Sequence, residues 1–375
     1  MNLTEIKNNM FNKTLNKNER NFNTNNEDNI LALNSLRLAV KAYLSTYQSM
    51  KNDFDKFTYK ENHRSNYFEI YSEVILHFQH FFELLIKDVL KDKNKLLAFK
   101  LSKNDEFLIS LIEGLPIKEE KYINSNTLEF RNSLERLLKY IELKQESDYD
   151  FIKENKEVLI YLSELRNSIW HKGENILTYN ALDNLIAKYI LPLAEKFLEN
   201  LNYLSKYDLR NIVGLRKSPL NLNIIKEIKQ EIQNENPKYD RIAVLKELGR
   251  ASLQSHYGMG FGSMIDSKDK SAHQLALAEL QNDFSSTNEI ITCPSCNAKS
   301  LVTYTTEVIT DCEEIEYEDM FTGQIVCTDI YNSYETVNRV KCVNCSFELL
   351  NKGIKNLKEY GLEVEDYWKD IDYYK

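Results

Sequence analysis

The chain has 375 residues, more than one hydrophobic core usually serves, so two or three structural units are expected. Its hydrophobic fraction of 42% excludes a wholly disordered protein, and no apolar run reaches the roughly 20 residues of a membrane span. The start of the sequence also lacks the apolar stretch of a secretory signal, so we expect a cytoplasmic protein with no membrane partner.

Charge is distributed unevenly along the chain, whose net charge is −9. Residues 301–375 hold 16 acidic and 7 basic side chains, whereas acids and bases balance in residues 1–300. An acidic surface repels phosphate and releases no counterions when it meets nucleic acid. We therefore expect the acidic C-terminal region to contact a protein partner or regulator, and any nucleic acid to bind elsewhere.

Asparagine dominates residues 1–29, which contain 11 of them and few apolar side chains. Such a segment buries too little surface to offset its conformational entropy, so it is predicted to be a disordered leader. Residues 30–205 contain only two glycines and two prolines, which favours long helices. Apolar side chains recur there at three- and four-residue steps, and this predicts an up-and-down bundle of five helices: 30–50, 66–90, 127–145, 155–172 and 179–203.

Residues 206–288 are more polar and are predicted to form a helical connecting region. Its expected helices are residues 220–234, 240–254 and 268–283. Three of the ten glycines lie in residues 257–262. A phosphate-binding loop is one interpretation of this cluster, but it lacks a preceding apolar strand and a Lys-Ser/Thr pair, so a flexible turn is favoured.

From residue 289 the pattern changes to alternating Val, Thr, Ile and Tyr. It predicts strands at residues 300–310 and 324–341. We assign residues 289–349 to a small β domain and residues 350–375 to an acidic tail. The predicted fold class is therefore mainly α, with a helical bundle, further helices and a small β domain.

The fourth predicted helix ends on Arg166-Asn167-x-x-x-His171, and Gly173 suits the turn just past a helix end. Asn167 and His171 share a helix face, whereas Arg166 must reach round to join them. Metal-free RNA cleavage needs a group that exchanges a proton near neutral pH and a fixed positive charge beside the phosphate. Histidine and arginine supply these, and asparagine can orient either group. The alternative is that the basic side chains only stabilise the helix dipole.

Arg-Asn-x-x-x-His, late in a helix of an all-helical bundle, resembles the signature of HEPN domains (higher eukaryotes and prokaryotes nucleotide-binding). That signature is an arginine, four to six residues and a histidine, often with a polar residue after the arginine. Arg166, Asn167 and His171 match each element, and the resemblance covers residues 30–205. It implies a HEPN-like bundle that acts as a metal-independent endoribonuclease on an RNA substrate and leaves a cyclic phosphate.

The resemblance also implies a homodimer whose two motifs form one cleft, with no cofactor for catalysis. It implies a role in bacterial toxin–antitoxin systems or in abortive infection and other anti-phage defence. Under this hypothesis His171 handles the proton, Arg166 stabilises the charge that develops on phosphorus, and Asn167 positions these groups.

The second predicted helix carries a polar stripe of His80, Glu83 and Lys87. HEPN relatives often place a polar or acidic residue of an early helix near the motif, so Glu83 is a candidate to orient His171. The alternative is a solvated Glu83–Lys87 ion pair that contributes about 0.3–0.5 kcal/mol.

All six cysteines lie between residues 293 and 345. Four of them form two Cys-x2-Cys pairs: Cys293, Cys296, Cys342 and Cys345. Two thiolates in one tight knuckle can approach an ion from the same side, and a second knuckle completes a tetrahedron around zinc. The pattern resembles a zinc ribbon with a long insert, and four thiolates indicate a structural ion. Cys312 and Cys327 are predicted to be ordinary strand residues; the alternatives are that they bind the metal or form a disulfide.

A different interpretation of the whole chain is a non-catalytic interaction protein. The bundle would then be a dimerisation module, and the zinc ribbon would bind or regulate other proteins. A zinc-ribbon transcription factor is disfavoured, because the C-terminal region is acidic.

Overall fold

The structure is a computed structural model that describes residues 27–52, 65–100, 128–171, 176–201, 222–254, 265–282, 289–318 and 325–350, with positions 209, 213 and 215. The predicted leader up to residue 26, the glycine cluster 257–262 and the acidic tail from 351 lie outside the described residues. The described part is mainly helical with a small β domain, as predicted, and that domain is one antiparallel four-stranded sheet. Among these helices, none combines the length and the apolar character that crossing a bilayer requires.

The helices predicted from apolar spacing are confirmed, and their ends shift by only a few residues. They are α1 (Glu27–Met50), α2 (Ser65–Lys93), α3 (Phe130–Lys144), α4 (Asp150–Glu154), α5 (Lys156–His171), α6 (Tyr179–Asn184), α7 (Leu191–Asn200), α8 (Ile224–Gln233), α9 (Tyr239–Gln254) and α10 (Ile265–Asn282). Short 3-10 helices cover Lys95–Ala98 and Ser147–Tyr149. The predicted helix 179–203 contains a π-helical turn, Leu185–Ile190, between α6 and α7.

The described residues belong to two compact units. Unit 1 comprises Met1–Ala39, Glu73–Asn175 and Leu193–Tyr203. Its core is rich in aromatic rings: the ring centroid of Phe82 lies 4.9 Å from that of Phe81 and 5.6 Å from that of Phe197. The apolar stripe of α5 is buried in this unit through Leu159, Leu162 and Leu165. The opposite side of α5 is therefore left accessible to solvent.

Unit 2 comprises Val40–Ser72, Ile176–Pro192 and Leu204–Lys375. Buried tyrosines from α1, α2 and α6 form part of its core, namely Tyr43, Tyr47, Tyr67, Tyr71 and Tyr179. In α9 every residue from 242 to 252 is buried, so this helix is enclosed on all sides. Its charged side chains must therefore find partners inside the protein.

The sheet belongs to unit 2 and runs in the order β1-β2-β3-β4, with all neighbours antiparallel. Its strands are β1 (Ile290–Thr292), β2 (Lys299–Glu318), β3 (Ile325–Cys342) and β4 (Glu348–Leu350). The two predicted strands are confirmed as the long hairpin β2–β3. The short strands β1 and β4 flank only the end of the hairpin where Leu301 pairs with Cys342.

Candidate functional site

The structure brings the four predicted metal ligands together at the base of the β2–β3 hairpin. Cys293 and Cys296 lie between β1 and β2, Cys342 ends β3, and Cys345 precedes β4. All four are buried, and their Sγ atoms lie within 4.8 Å of one another. The Sγ atoms are 3.6 Å apart for Cys293 and Cys345, and 3.7 Å apart for Cys296 and Cys342. Tetrahedral zinc with Zn–S bonds of about 2.3 Å places its sulfurs about 3.8 Å apart, so the cluster can hold a metal ion such as zinc.

The two Cys-x2-Cys knuckles repeat the same backbone hydrogen bonds. In each, the N–H of the first cysteine donates to the carbonyl five residues later, at 2.9 Å for Cys293 and 2.7 Å for Cys342. The carbonyl of that cysteine accepts from the N–H four residues later, at 2.9 Å and 3.1 Å. The residue after each second cysteine has a positive φ, 63° at Asn297 and 58° at Ser346. This repeated turn holds each pair of sulfurs ready for one ion.

The polar surroundings of the sulfurs suit thiolate ligands. Asn344 donates its side-chain N–H to Sγ of Cys296 at 3.4 Å, and Oγ of Ser300 lies 3.2 Å from Sγ of Cys342. Burial raises the pKa of Cys293 well above its ordinary value, whereas hydrogen bonds from Cys293 and the other cysteines lower the pKa of Cys296. Such opposite shifts are expected where neighbouring sulfurs cannot all be charged without a cation.

The other two cysteines lie far along the hairpin. Cys312 pairs with Tyr331 and Cys327 pairs with Glu316, so the two cysteines are four ladder positions apart. At about 3.3 Å per position their Cα atoms are roughly 13 Å apart, beyond the ~7 Å that a disulfide permits. Cys312 is also eleven residues along β2, or about 36 Å, from Leu301 at the end of the hairpin that carries the four clustered cysteines. The hairpin register therefore favours the predicted ligand set over both alternatives.

Two residues of α9 that the sequence analysis did not single out support the second knuckle. Arg250 donates through Nε and Nη2 to the carboxylate of Glu247, at 2.7 Å and 2.6 Å. It also donates through Nη1 to Oγ of Ser346 at 3.3 Å and through Nη2 to the Ser346 carbonyl. Burial opposes the charge of Arg250, but the hydrogen bonds and charge of Glu247 and the nearby Cys345 raise its pKa overall.

A second buried ion pair involves Lys246, the residue before Glu247 on α9, and it too was not predicted from the sequence. Lys246 forms an ion pair with Asp183, and both side chains are fully buried. Nζ of Lys246 donates to Oγ1 of Thr46 at 2.9 Å and lies 3.9 Å and 4.5 Å from the ring centroids of Tyr179 and Tyr43. Burial lowers the pKa of Lys246 to about 8 and raises the pKa of Asp183. The sequence signal for this pair is weak: four apolar residues, 242–245, come directly before Lys246, which is followed by a second charge at Glu247.

The predicted nuclease motif lies near the C-terminal end of α5, which ends at His171, one residue before the predicted end. Nη1 of Arg166 donates to Oδ1 of Asn167 at 3.0 Å. Arg166 is half-buried and Asn167 is exposed. The guanidinium thus reaches round to its neighbour while the last turn stays helical. The side chain of His171 lies outside the described residues.

Glu83 makes its observed hydrogen bonds within its own helix. It accepts from Nζ of Lys87 at 2.6 Å and from Nε2 of Gln79 at 3.0 Å. The Glu83–Lys87 pair considered as the alternative is therefore present. The role of Glu83 in orienting His171 stays a prediction.

Comparison with known proteins assigns no family to the chain. No family and no solved structure matches it. The human kinesin-like protein KIF15 is 24% identical over 230 residues, which are 59% of this chain and 15% of that protein. Because the identity is low and the chain spans so small a part of that protein, the similarity supports no shared function.

Proposed function

We propose that the protein is a metal-independent endoribonuclease of HEPN type that works as a homodimer, in a toxin–antitoxin pair or in anti-phage defence. The observation that carries this proposal is the contact between Arg166 and Asn167 on α5. It draws a guanidinium towards the helix face that Asn167 shares with position 171, at an accessible end of the helix.

In the proposed reaction His171 takes the proton of a ribose 2′-hydroxyl, whose oxygen attacks the neighbouring phosphorus. The bond to the 5′-oxygen breaks, that oxygen takes up a proton, and the products are a 2′,3′-cyclic phosphate and a 5′-hydroxyl. Arg166 uses one N–H for Asn167 and has further donors for the phosphate. Trp170 is 62% exposed one turn after Arg166, and its ring offers a surface on which an unpaired base can stack.

The test compares the full-length protein with Arg166→Gln and His171→Ala on a labelled RNA, in buffer without divalent metal. We expect the wild type to cut and both variants to lose at least 100-fold in rate, with a cyclic phosphate on the product. Arg131→Gln is a matched control, because Arg131 is an exposed arginine of the same unit that pairs with Glu135. Cleavage by His171→Ala at the wild-type rate, or of RNA with a 2′-deoxy residue at the cut site, would refute the mechanism.

We further propose that the four-cysteine centre binds zinc and that this zinc is structural. Four thiolates complete the tetrahedral coordination of zinc, so no position is left for a catalytic water. When bound, zinc would supply cross-linking between the two knuckles and neutralise the charge of their thiolates. RNA cleavage would then not use this metal.

A protein-binding function is the second candidate, and the topology of the hairpin favours it. Within the described residues β1 and β4 pair only with its base, while the two strands continue to the pair Glu318 and Ile325. Two-stranded ribbons are marginally stable alone, and this one lies in the acidic part of the chain. If wild-type protein cut no RNA as a dimer, this interaction function would replace the nuclease.

A further inference from the structure

Both knuckles of the metal centre contact one buried helix of the same unit, α9. From the first knuckle, Oγ of Ser295 donates to the carbonyl of Leu248 at 3.5 Å. On the second knuckle, Arg250 donates to the hydroxyl and to the carbonyl of Ser346. Ser295, Leu248 and Arg250 are each less than a tenth exposed, whereas Ser346 is exposed. The contact with the first knuckle is therefore shielded from water, and the contact with the second knuckle lies at the edge of the buried region.

Arg250 connects the knuckle to further buried charges. Its partner Glu247 is fully buried and also accepts the N–H of Glu348, in β4, at 2.7 Å. The carboxylate of Glu348 in turn pairs with Lys51, just after α1, and with Arg339 of β3 at 2.7 Å. A continuous set of polar contacts, in which the side chains of Arg250, Glu247 and Glu348 are charged, thus runs from the second knuckle through α9 to Lys51.

A buried carboxylate is costly unless its hydrogen bonds are made, and Glu247 depends on Arg250 for two of them. Arg250 is held in this geometry from the other side by Ser346, the residue directly after the ligand Cys345. A shift of the second knuckle would therefore disturb an ion pair in the middle of a helix that is enclosed on all sides.

We propose that metal occupancy of the four-cysteine centre is coupled to the helical core of unit 2 through Arg250 and Glu247. The centre is then not a self-contained ribbon: the ion orders the second knuckle, the knuckle orients Arg250, and Arg250 keeps α9 in place. Arg250 is a positioning residue of the metal centre. This inference rests on the zinc-binding part of the proposed function and not on RNA cleavage.

Coupling of this kind is reciprocal. If metal binding favours the packed arrangement of α9 by some factor, then that arrangement raises the affinity for the metal by the same factor. A substitution that breaks the link between α9 and the knuckle must therefore lower the affinity for the metal. Residues that orient metal ligands typically change metal affinity by about 10- to 100-fold when they are replaced.

The first experiment measures amide hydrogen exchange on the full-length, zinc-loaded protein before and after removal of zinc with EDTA. We expect faster exchange in residues 242–252 of α9 as well as in residues 290–350, while residues 159–165 of α5, in unit 1, keep their protection. Faster exchange confined to residues 290–350 would overturn the coupling.

The second experiment measures zinc affinity by competition with a colorimetric chelator for Arg250→Gln and for a matched control, Arg241→Gln. Arg241 lies on the same helix and pairs with Glu227 and Glu231 of α8, at 3.3 Å and 2.5 Å. We expect a loss of tenfold or more for Arg250→Gln relative to the control. Equal affinities of the two variants would refute the positioning role.

Two further outcomes separate misfolding and metal loss from failure of the coupling. If Arg250→Gln does not fold, Arg250→Lys takes its place, because lysine keeps the charge but not the forked donors. Arg250→Lys should fold, and its zinc affinity should lie below that of the wild type but less than tenfold below that of Arg241→Gln. Wild-type affinity in Arg250→Lys would count against the role of the fork. A full-length protein that binds no zinc at all would refute the zinc centre itself, whereas zinc binding without any change in α9 would refute the coupling alone.

Discussion

Removing one partner of the buried pair Lys246–Asp183 should destabilise the protein far more than removing both. The two side chains are fully buried and paired, and the Tyr179 ring centroid lies 3.9 Å from Nζ of Lys246. Burial lowers the pKa of Lys246 to about 8 and raises the pKa of Asp183, although each partner opposes the shift of the other. For both groups the loss of water therefore outweighs the attraction between them.

The expected magnitudes follow from this balance. Lys246→Met leaves a buried carboxylate and Asp183→Leu leaves a buried ammonium, so each should lower the free energy of unfolding by about 3–5 kcal/mol. The double variant places apolar side chains of similar size in an apolar, aromatic site. We expect it to be as stable as the wild type or more stable by up to about 4 kcal/mol. The two single losses together are at least about 6 kcal/mol and the double variant loses nothing, so the coupling energy of the double-mutant cycle should be at least about 6 kcal/mol.

The assay is urea unfolding of the zinc-loaded protein, followed by circular dichroism. Lys188→Met is the control, because Lys188 lies in the same segment as Asp183 but is exposed, and its change should stay within about 0.5 kcal/mol. A double variant that is destabilised by the sum of the two single variants would refute the reasoning, since the two charges would then act independently.

Two further predictions concern pH and the metal ligands. Between the pKa of about 8 for folded Lys246 and about 10.4 for an unfolded lysine, the unfolded chain binds more protons, so stability should rise from pH 8 to about pH 9.5. If the double variant Lys246→Met/Asp183→Leu showed the same rise in the free energy of unfolding with pH, measured by urea unfolding at each pH, the rise could not come from Lys246. Cys342→Ser should abolish stoichiometric zinc binding in elemental analysis, whereas Cys312→Ser should keep one zinc per chain. The ligand assignment would be wrong if the first variant retained zinc or the second lost it.

Sequence alone determined those features of this protein that depend on near neighbours in the chain. The apolar steps of α1, α2 and α5 predicted helices because the α-helical period places those side chains on one face. The alternation of Val, Thr, Ile and Tyr with other residues in β2 and β3 predicted strands, because successive side chains of a strand point to opposite faces of the sheet. The Cys-x2-Cys spacing predicted the four cysteines that the structure brings together, because each knuckle is a local turn that repeats the same hydrogen bonds.

Only the tertiary structure decided which charged side chains are enclosed. The sequence shows α9 as a polar helix, yet the structure buries Lys246, Glu247 and Arg250. Their partners lie far away in the chain: Arg250 meets Ser346 across 96 residues, and Lys246 pairs with Asp183 of another helix. The spacing of residues along the chain does not predict such contacts, because the burial of a helix depends on which distant elements cover it. The direction of Arg166 was open in the sequence for a similar reason: a long side chain on a helix surface has several rotamers, and its surroundings select among them.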